Sequence, residues 1–301
     1  MSNSKDVSYM FELTALTGKT YYIESPAKIG VWCPDGVHAW FIDSGNDKDA
    51  GRKLRKILDQ QGWQLQGILN THSNADHIGG NQYLQRQTGC RVFAGGLEKA
   101  FTSYPILEPS FLYGGYPMKD LRHKFLMAKE SDVTDFSDPS FPHEIEIISL
   151  PGHFFHMVGF RTPDNVVFLA DCLNSRAILD KYALGYIYDV QAYLDTLDKV
   201  EAMEADWFVP AHAEATQDIR PLVQYNKQKV QEIAGLILQL CQAPRSWDDI
   251  LQSVFDHYHL TLTVEQYVLI GNTIRSFLSW LRDTNKVTIL IENNRLLWQA
   301  I

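Results

Sequence analysis

One segment, residues 70–80, concentrates the side chains that could do chemistry. It reads Asn-Thr-His-Ser-Asn-Ala-Asp-His-Ile-Gly-Gly and presents His72, Asn74, Asp76 and His77 within six residues. Imidazole and carboxylate are the usual zinc ligands outside cysteine sites. Crowding two histidines and an aspartate into one turn is costly in desolvation unless they share a cation. This segment, called the polar loop below, therefore predicts a metal site.

Three further polar residues follow predicted strands. His153 comes after the strand EIEIISL in a Pro-Gly-His turn, Asp171 ends the strand VVFLA, and His212 follows the strand WFVPA. The carboxyl ends of strands are where α/β proteins commonly gather their sites. Taken singly, each residue also has a structural explanation, as a turn residue, a cap or a buried histidine. All of these explanations would have to be correct at the same time to exclude a metal site.

Helices alternate with strands around the polar loop. The apolar spacing predicts one helix from Lys48 to Gln61, closed by Gly62, and a second from Asn81 to Thr88, closed by Gly89. The segments LQGILN and RVFAG are typical of short buried strands. This alternation indicates a layered α/β domain.

Residues 103–142 differ from the rest of this region, because they are rich in proline, glycine and aromatic residues. We expect an insertion that lies over other parts of the domain and is not a regular layer. Long loops in compact domains are often lids, so a pocket wall over the metal site remains an alternative to a local aromatic cluster.

The chain becomes helical after about Leu222. Two amphipathic stretches, the second starting at a capping-box pair of Ser246 and Asp249, precede a long helix from about Thr263 to Thr284. Two apolar strands joined at Asn293–Asn294 follow, as in a tight hairpin. Three helices and a terminal hairpin resemble a winged helix, so we predict domains at 1–222 and 223–301.

The polar loop and the three later residues together resemble the metallo-β-lactamase-fold hydrolases. That family has a His-x-His-x-Asp-His loop, then a histidine in a Pro-Gly-His turn, an aspartate after an apolar strand and a late histidine. The resemblance covers about Val7 to Leu222. It implies a four-layer αββα fold, here followed by a small C-terminal winged-helix-like domain. The matching positions, in the family's order, are His72, Asn74, Asp76, His77, His153, Asp171 and His212.

The resemblance also implies a division of the ligands between two metals. His72, Asn74 and His153 would hold metal one, Asp76, His77 and His212 would hold metal two, and Asp171 would bridge them. The sequence departs from the family at Asn74, where the family has its second histidine. An amide oxygen is a harder and usually weaker zinc ligand than imidazole. Three outcomes stay open: a mononuclear site, a dinuclear site with a loosely held first metal, and a scaffold without catalysis.

The function implied is a zinc-type, metal-dependent hydrolase. A metal-activated water, held or oriented by Asp76 as the catalytic residue, would attack an ester, thioester, lactone or phosphodiester bond. We expect Zn²⁺, one or two per chain, with iron or manganese as alternatives. The rival functions are a metal-binding relative without catalysis and a mononuclear iron redox enzyme on the same fold.

The composition of the chain indicates which classes of partner to expect. The 301 residues carry a net charge of −9, and acidic and basic residues balance after position 222, so we expect no nucleic acid partner. We find no long apolar run for a membrane span and no leader-like start. Four widely spaced cysteines are typical of reduced thiols. We therefore expect a cytoplasmic enzyme with a small-molecule substrate, and homo-oligomerisation stays open.

Overall fold

The computed structural model describes residues 11–301. Its strands are β1 (Leu13–Thr17), β2 (Thr20–Ile23), β3 (Ile29–Trp32), β4 (His38–Ile42), β5 (Gln64–Leu69), β6 (Arg91–Phe93), β7 (Val133–Thr134), β8 (Glu146–Ser149), β9 (Val158–Arg161), β10 (Val166–Asn174), β11 (Trp207–His212), β12 (Val287–Glu292) and β13 (Arg295–Ala300). Its helices are α1 (Lys48–Gln61), α2 (Ala75–Ile78), α3 (Asn81–Thr88), α4 (Gly96–Ser103), α5 (Leu107–Tyr113), α6 (Arg176–Tyr182), α7 (Val190–Glu201), α8 (Arg220–Leu240), α9 (Trp247–His257) and α10 (Val264–Asp283), with a 3₁₀ turn at Lys119–Leu121.

Two sheets form the centre of the first part of the chain. Seven strands are ordered β1 to β7, antiparallel from β1 to β4 and parallel from β4 to β7. Four strands form a second sheet in the order β11-β10-β9-β8. One apolar core joins the first sheet to α1 and α3 through Leu54, Leu58 and Leu84. A second core, which includes Phe93 and Phe160, lies between the two sheets. The layered α/β character predicted from the sequence is confirmed.

Several elements form as predicted because the residues that begin or end them act on the neighbouring backbone. Helices α1 and α3 have the predicted bounds, and Gly62 and Gly89 close them in the left-handed region at φ 71° and 72°, which glycine adopts without strain. Helix α9 starts at the predicted capping box of Ser246 and Asp249. Asn293 and Asn294 both have positive φ and connect β12 to β13, as a two-residue hairpin turn requires.

Two elements differ from the sequence predictions. Residues 103–142 are not only an overlying insertion, because β7 lies within them and extends the first sheet, pairing Val92 with Val133. The pattern did not reveal β7 because two residues are too few for any periodicity. Helix α8 begins at Arg220, ten residues before its clearest apolar stretch. Pro221 lies in the first turn of α8. A backbone N–H group at that position has no partner within the helix, so the N–H that proline lacks removes no helical hydrogen bond.

The chain divides into two compact units. Of the described residues, the first unit comprises 11–150, 156–171 and 204–218, and the second comprises 151–155, 172–203 and 219–301. The second unit contains the helical C-terminal region, α8 to α10, and the β12–β13 hairpin. A winged-helix identity and the boundary at 222/223 stay predictions. Among the helices of residues 11–301, none is long and apolar enough to span a membrane.

Candidate metal centre

The polar loop leaves the end of β5 and turns at once into α2. Asn74 precedes this helix in extended conformation, and Asp76 and His77 lie within it. Gly79 and Gly80 follow with ordinary negative φ. A Cβ at Gly79 would lie 2.2 Å from the carbonyl carbon of Asn46, and one at Gly80 would lie 2.3 Å from the Ser44 oxygen. The two glycines are therefore needed for close backbone approach to the segment after β4.

Four of the predicted ligands meet in the first unit. The ligand atoms of Asp76, His77, Asp171 and His212 all lie within 4.8 Å of one another, and we call these residues the four-residue group. His77 Nε2 lies 3.0 Å from Asp171 Oδ1 and 3.7 Å from Asp76 Oδ2, while His212 Nε2 lies 3.1 Å from Asp171 Oδ2 and 3.4 Å from Asp76 Oδ2. Tetrahedral bonds of about 2.1 Å separate ligand atoms by about 3.4 Å. These spacings fit one cation.

Hydrogen bonds to the other ring nitrogens orient both imidazoles of the group. His77 Nδ1 lies 2.7 Å from Asp43 Oδ2, and His212 Nδ1 lies 2.9 Å from the Pro26 carbonyl oxygen. A carbonyl and an ionised carboxylate only accept, so each Nδ1 carries the proton. Each Nε2 faces carboxylates, so a positive charge must lie between the partners: a proton on Nε2 in the metal-free protein, or a bound cation that replaces it. Zinc-binding histidines are oriented in the same way, so the donor set fits a divalent metal.

The other three predicted site residues have different surroundings. His72 is fully buried, and its Nε2 lies 4.0 Å from Asp171 Oδ2. The Nδ2 of Asn74 donates to Glu108 Oε1 at 2.8 Å. His153 belongs to the second unit, where its Nδ1 lies 3.0 Å from the Tyr186 carbonyl oxygen. Their roles as ligands of a first metal stay predictions.

Asp171 does not end its strand, contrary to the sequence prediction. Strand β10 continues to Asn174, so Asp171 lies within it. The preceding residue, Ala170, has φ +51°, a conformation that alanine rarely adopts. Ala170 therefore leaves the extended conformation inside the strand, directly before Asp171. A strained residue next to a site is typical of functional positions.

Asp43 and Glu98, which the sequence analysis missed, hold the polar loop in place. Asp43, buried just after β4, accepts hydrogen bonds from the Thr71 N–H at 2.8 Å, the Thr71 hydroxyl at 2.7 Å and His77 Nδ1. Buried Glu98 of α4 accepts from the N–H and hydroxyl of Ser73 and from the His156 N–H. Asp43 could have been found, because it is a polar residue at a strand end. Nothing in the local sequence distinguishes Glu98.

The charges of the four-residue group stabilise one another. Burial disfavours an imidazolium at His212, but the carboxylates of Asp171 and Asp76 outweigh it and raise the pKa of His212 to about 10. Burial and the same carboxylates act on His77, whose pKa is well above its usual value. Burial also opposes ionisation of both aspartates, yet the histidines lower the pKa of Asp76 and of Asp171. Both carboxylates are therefore ionised at neutral pH.

We expect the stability of the metal-stripped protein to depend on pH through these ion pairs. The stabilisation from protonated His212 is fully present below its unfolded pKa of 6.5 and is lost as the pH rises through about 10. The stabilisation from Asp76 and Asp171 is present above 3.8 and is lost as the pH falls through their lowered pKa values. Because a cation must displace the imidazole protons, its affinity should rise about tenfold per pH unit for each proton released.

Denaturant unfolding of the stripped protein between pH 4 and 10 measures the pH dependence of its stability. Metal titrations in buffers of different ionisation enthalpy measure the metal affinity and the number of protons released. A metal affinity that does not change between pH 6 and 8 would contradict the assignment of these protons.

Comparison with known proteins assigns more than half of the chain to one family. The sequence model of the metallo-beta-lactamase superfamily matches residues 41–212. Hydroxyacylglutathione hydrolase of Maricaulis maris (strain MCS10) is 29% identical over 120 residues, which are 38% of this chain and 36% of that protein. The same enzyme of Rhodopseudomonas palustris (strain BisB18) is 31% identical over 130 residues, 43% of this chain and 42% of that protein. The chain thus matches less than half the length of these curated relatives.

Solved structures extend the likeness of the fold over nearly the whole chain. A metallo-beta-lactamase family protein of Thermus thermophilus is 16% identical with a TM-score of 0.72, over 95% of this chain and 100% of that one. A beta-lactamase domain protein of Burkholderia ambifaria is 14% identical with a TM-score of 0.72, over 99% and 96%. At these identities the similarity is one of fold.

Proposed function

Because the chain belongs to the metallo-beta-lactamase superfamily, we propose that it is a metal-dependent hydrolase of a small-molecule thioester. The observation that carries the proposal is the four-residue group, in which His77 and His212 both turn Nε2 toward the carboxylates of Asp76 and Asp171. A group built in this way holds a cation without rearrangement of its side chains. A divalent metal would supply Lewis acidity there and lower the pKa of a water molecule toward neutrality.

The residues of the group have distinct roles in this proposal. The side chains of His77 and Asp171 are 0% and 9% exposed, so they act as fixed ligands. Asp76 is 38% exposed and is the carboxylate of the group that is more open to solvent. Because its pKa is lowered by His77 and His212 against the effect of burial, it is ionised at neutral pH and can accept a hydrogen bond from the attacking water. We assign it the catalytic role of orienting that water.

The thioester is the first candidate bond because of the relatives. Curated relatives that match this chain include hydroxyacylglutathione hydrolases, and hydroxyacylglutathione is a thioester. Oxygen esters, lactones and phosphodiesters stay the alternatives, since the same donor set serves each of them. Zinc is the first candidate metal, since His and Asp donors suit it.

Turnover by the stripped and reloaded protein tests the proposal. The protein is treated with a chelator, reloaded with zinc, manganese or ferrous iron, and offered a hydroxyacylglutathione, a thioester of a second thiol, an oxygen ester, a lactone and a phosphodiester. We expect thioester hydrolysis that is lost on chelation and regained on reloading. The matched control is Asp59→Asn, which removes an exposed carboxylate from α1 and should leave turnover unchanged.

Two results would contradict the proposal. Tight metal binding without turnover of any compound would indicate a metal-binding relative that lacks catalysis. Oxygen uptake by the iron-loaded protein, with no hydrolysis, would indicate a mononuclear redox enzyme.

A further inference from the structure

The hairpin of β12 and β13 has one covered edge and one open edge. On the outer side of β13, Trp298 exchanges backbone hydrogen bonds with Arg245 at 2.8 and 3.0 Å. Ala300 donates its N–H to the Cys241 carbonyl at 2.7 Å on the same side. Within residues 11–301, β12 pairs with β13 and with no other strand. The outer side of β12, called the open edge below, is therefore unpaired.

The hydrogen-bond pattern of the hairpin shows which backbone groups point out from the open edge. The Ile301 N–H donates to the Lys286 carbonyl at 3.0 Å, so the carbonyl of residue 286 points toward β13. In an antiparallel pair, hydrogen-bonded and non-hydrogen-bonded positions alternate along the strand. The N–H and carbonyl groups of Val287, Ile289 and Ile291 therefore point away from β13, into the open edge.

The open edge is apolar and carries none of the usual protection against pairing. Ile289 is 38% exposed and Ile291 is 69% exposed. The segment from Val287 to Ile291 contains no charged residue and no proline, and its register with β13 has no bulge. Charges, prolines and bulges are the features by which sheet edges avoid pairing with another chain. The composition of this edge thus favours the addition of a further strand.

Two opposite charges flank the open edge and indicate which strand fits it. Lys286 and Glu292 are both exposed, and neither forms an ion pair within the part of the chain that the structure describes. If two copies of β12 pair in antiparallel fashion with Ile289 at the centre, Lys286 of each copy lies opposite Glu292 of the other. The open edge is therefore complementary in charge to itself.

The same register also matches the backbone groups. Val287 of one copy then lies opposite Ile291 of the other, and Ile289 lies opposite its own equivalent. Each of these pairs is a hydrogen-bonded one, in which both N–H groups find a carbonyl. Opposing side chains lie on the same face of a sheet, so the exposed Ile291 side chain packs beside Val287 of the other copy.

We propose that the open edge is a homodimer interface, at which two copies of β12 pair across a twofold axis at Ile289 and join the two hairpins into one sheet. Such a contact is isologous and closed, so it stops at the dimer. A single pair of strands gives a small contact area, and we expect a reversible equilibrium between monomer and dimer. The proposal is independent of the metal centre and of the proposed function, and its tests use no turnover.

Sedimentation of the native chain from micromolar to millimolar concentration measures this equilibrium. Ile289→Lys places two like charges against each other on the twofold axis and should weaken the dimer at least about tenfold. The matched control is Leu296→Lys, which introduces the same charge on β13 at a side chain that is 45% exposed. Because Leu296 lies outside the open edge, this variant should dimerise like the native chain.

Reversal of the flanking charges tests the register. Lys286→Glu and Glu292→Lys each place like charges opposite one another at both ends of the contact, and each variant alone should dimerise about tenfold more weakly. In an equimolar mixture of the two variants, every end of the mixed dimer again joins opposite charges. Native mass spectrometry should therefore show the mixed dimer in preference to both homodimers. A change confined to the fold of one chain does not produce this rescue.

Amide hydrogen exchange tests the backbone contact in the native chain. The N–H groups of Val287, Ile289 and Ile291 should exchange more slowly as the protein concentration rises. The N–H of Leu290, which faces Leu297 of β13, is the internal control and should not change with concentration.

Three results would overturn the proposal. The first is a native chain that stays monomeric at all concentrations tested. The second is a dimer that Ile289→Lys leaves unchanged while exchange at Val287, Ile289 and Ile291 is independent of concentration. The third is a mixture of the two charge variants that associates no more tightly than either variant alone. Denaturant unfolding of each variant establishes that its monomer is folded, and the exchange experiment needs no variant.

Discussion

Asp171→Asn is expected to lower the affinity of the four-residue group for its metal by about 100-fold. The two oxygens of Asp171 lie 3.0 Å from His77 Nε2 and 3.1 Å from His212 Nε2, and asparagine keeps this shape but loses the charge and one ligand oxygen. Structural zinc sites gain about 10–16 kcal/mol from four ligands, which is about 3 kcal/mol per ligand and about a factor of 100. A competition titration against a chelator of known affinity measures the change.

Asp59→Asn serves as the control for this experiment, because its carboxylate pairs with Arg55 on an exposed face of α1. Hydrolysis by Asp171→Asn should fall together with its metal content and return in part at high metal concentration. If the variant binds metal with an affinity within about threefold of that of the native protein, Asp171 is not a ligand and the four-residue group is only a network of ion pairs.

Asp43→Asn is expected to remove tight metal binding although Asp43 contacts no metal in our proposal. Asparagine tolerates the φ of +64° found at this position. The Thr71 N–H can only donate, so the amide oxygen must face it, and the amide nitrogen then faces His77 Nδ1. His77 has to accept at Nδ1 and carry its proton on Nε2, the atom turned toward Asp171. We expect at least about a 10–100-fold loss of metal affinity.

Two measurements distinguish this tautomer change from unfolding. Long-range nitrogen–proton correlation spectra report which ring nitrogen of His77 carries the proton, and denaturant unfolding reports the stability. Asp164→Asn is the matched control, since Asp164 also accepts from a backbone N–H and a hydroxyl, those of Lys19 and Thr20. Should Asp43→Asn keep the native tautomer and the native metal affinity, orientation by Asp43 would be excluded.

Asp43→Leu would act on stability as well. It leaves the Thr71 N–H, the Thr71 hydroxyl and His77 Nδ1 without their acceptor. Three buried donors at about 1–3 kcal/mol each predict a loss of at least about 3 kcal/mol in the free energy of unfolding.

The sequence by itself determined the elements whose signals are local. The ends of α1 and α3 were predicted from Gly62 and Gly89, and the start of α9 from Ser246 and Asp249. Each of these signals acts through the backbone within about four residues, so the order of residues is enough to detect it. The same holds for the polar loop, whose metal-binding residue types are close together in the sequence.

Only the tertiary structure decided how β10 and β7 are built. The run VVFLAD contains neither glycine nor proline, so nothing local indicates that the strand continues past Asp171 or that Ala170 adopts a positive φ. The two residues of β7 form a strand because β6 offers them a parallel partner.

The acceptors that orient the ligands were also decided by tertiary structure. Asp43 is 34 residues from His77, Glu108 is 34 from Asn74, and Pro26 is 186 from His212. A hydrogen bond depends on a distance of about 3 Å and on the direction of the donor. The types of two residues far apart in the sequence indicate neither the distance nor the direction. The sequence therefore named the candidate ligands, while the folded chain determined which acceptor lies against each of them.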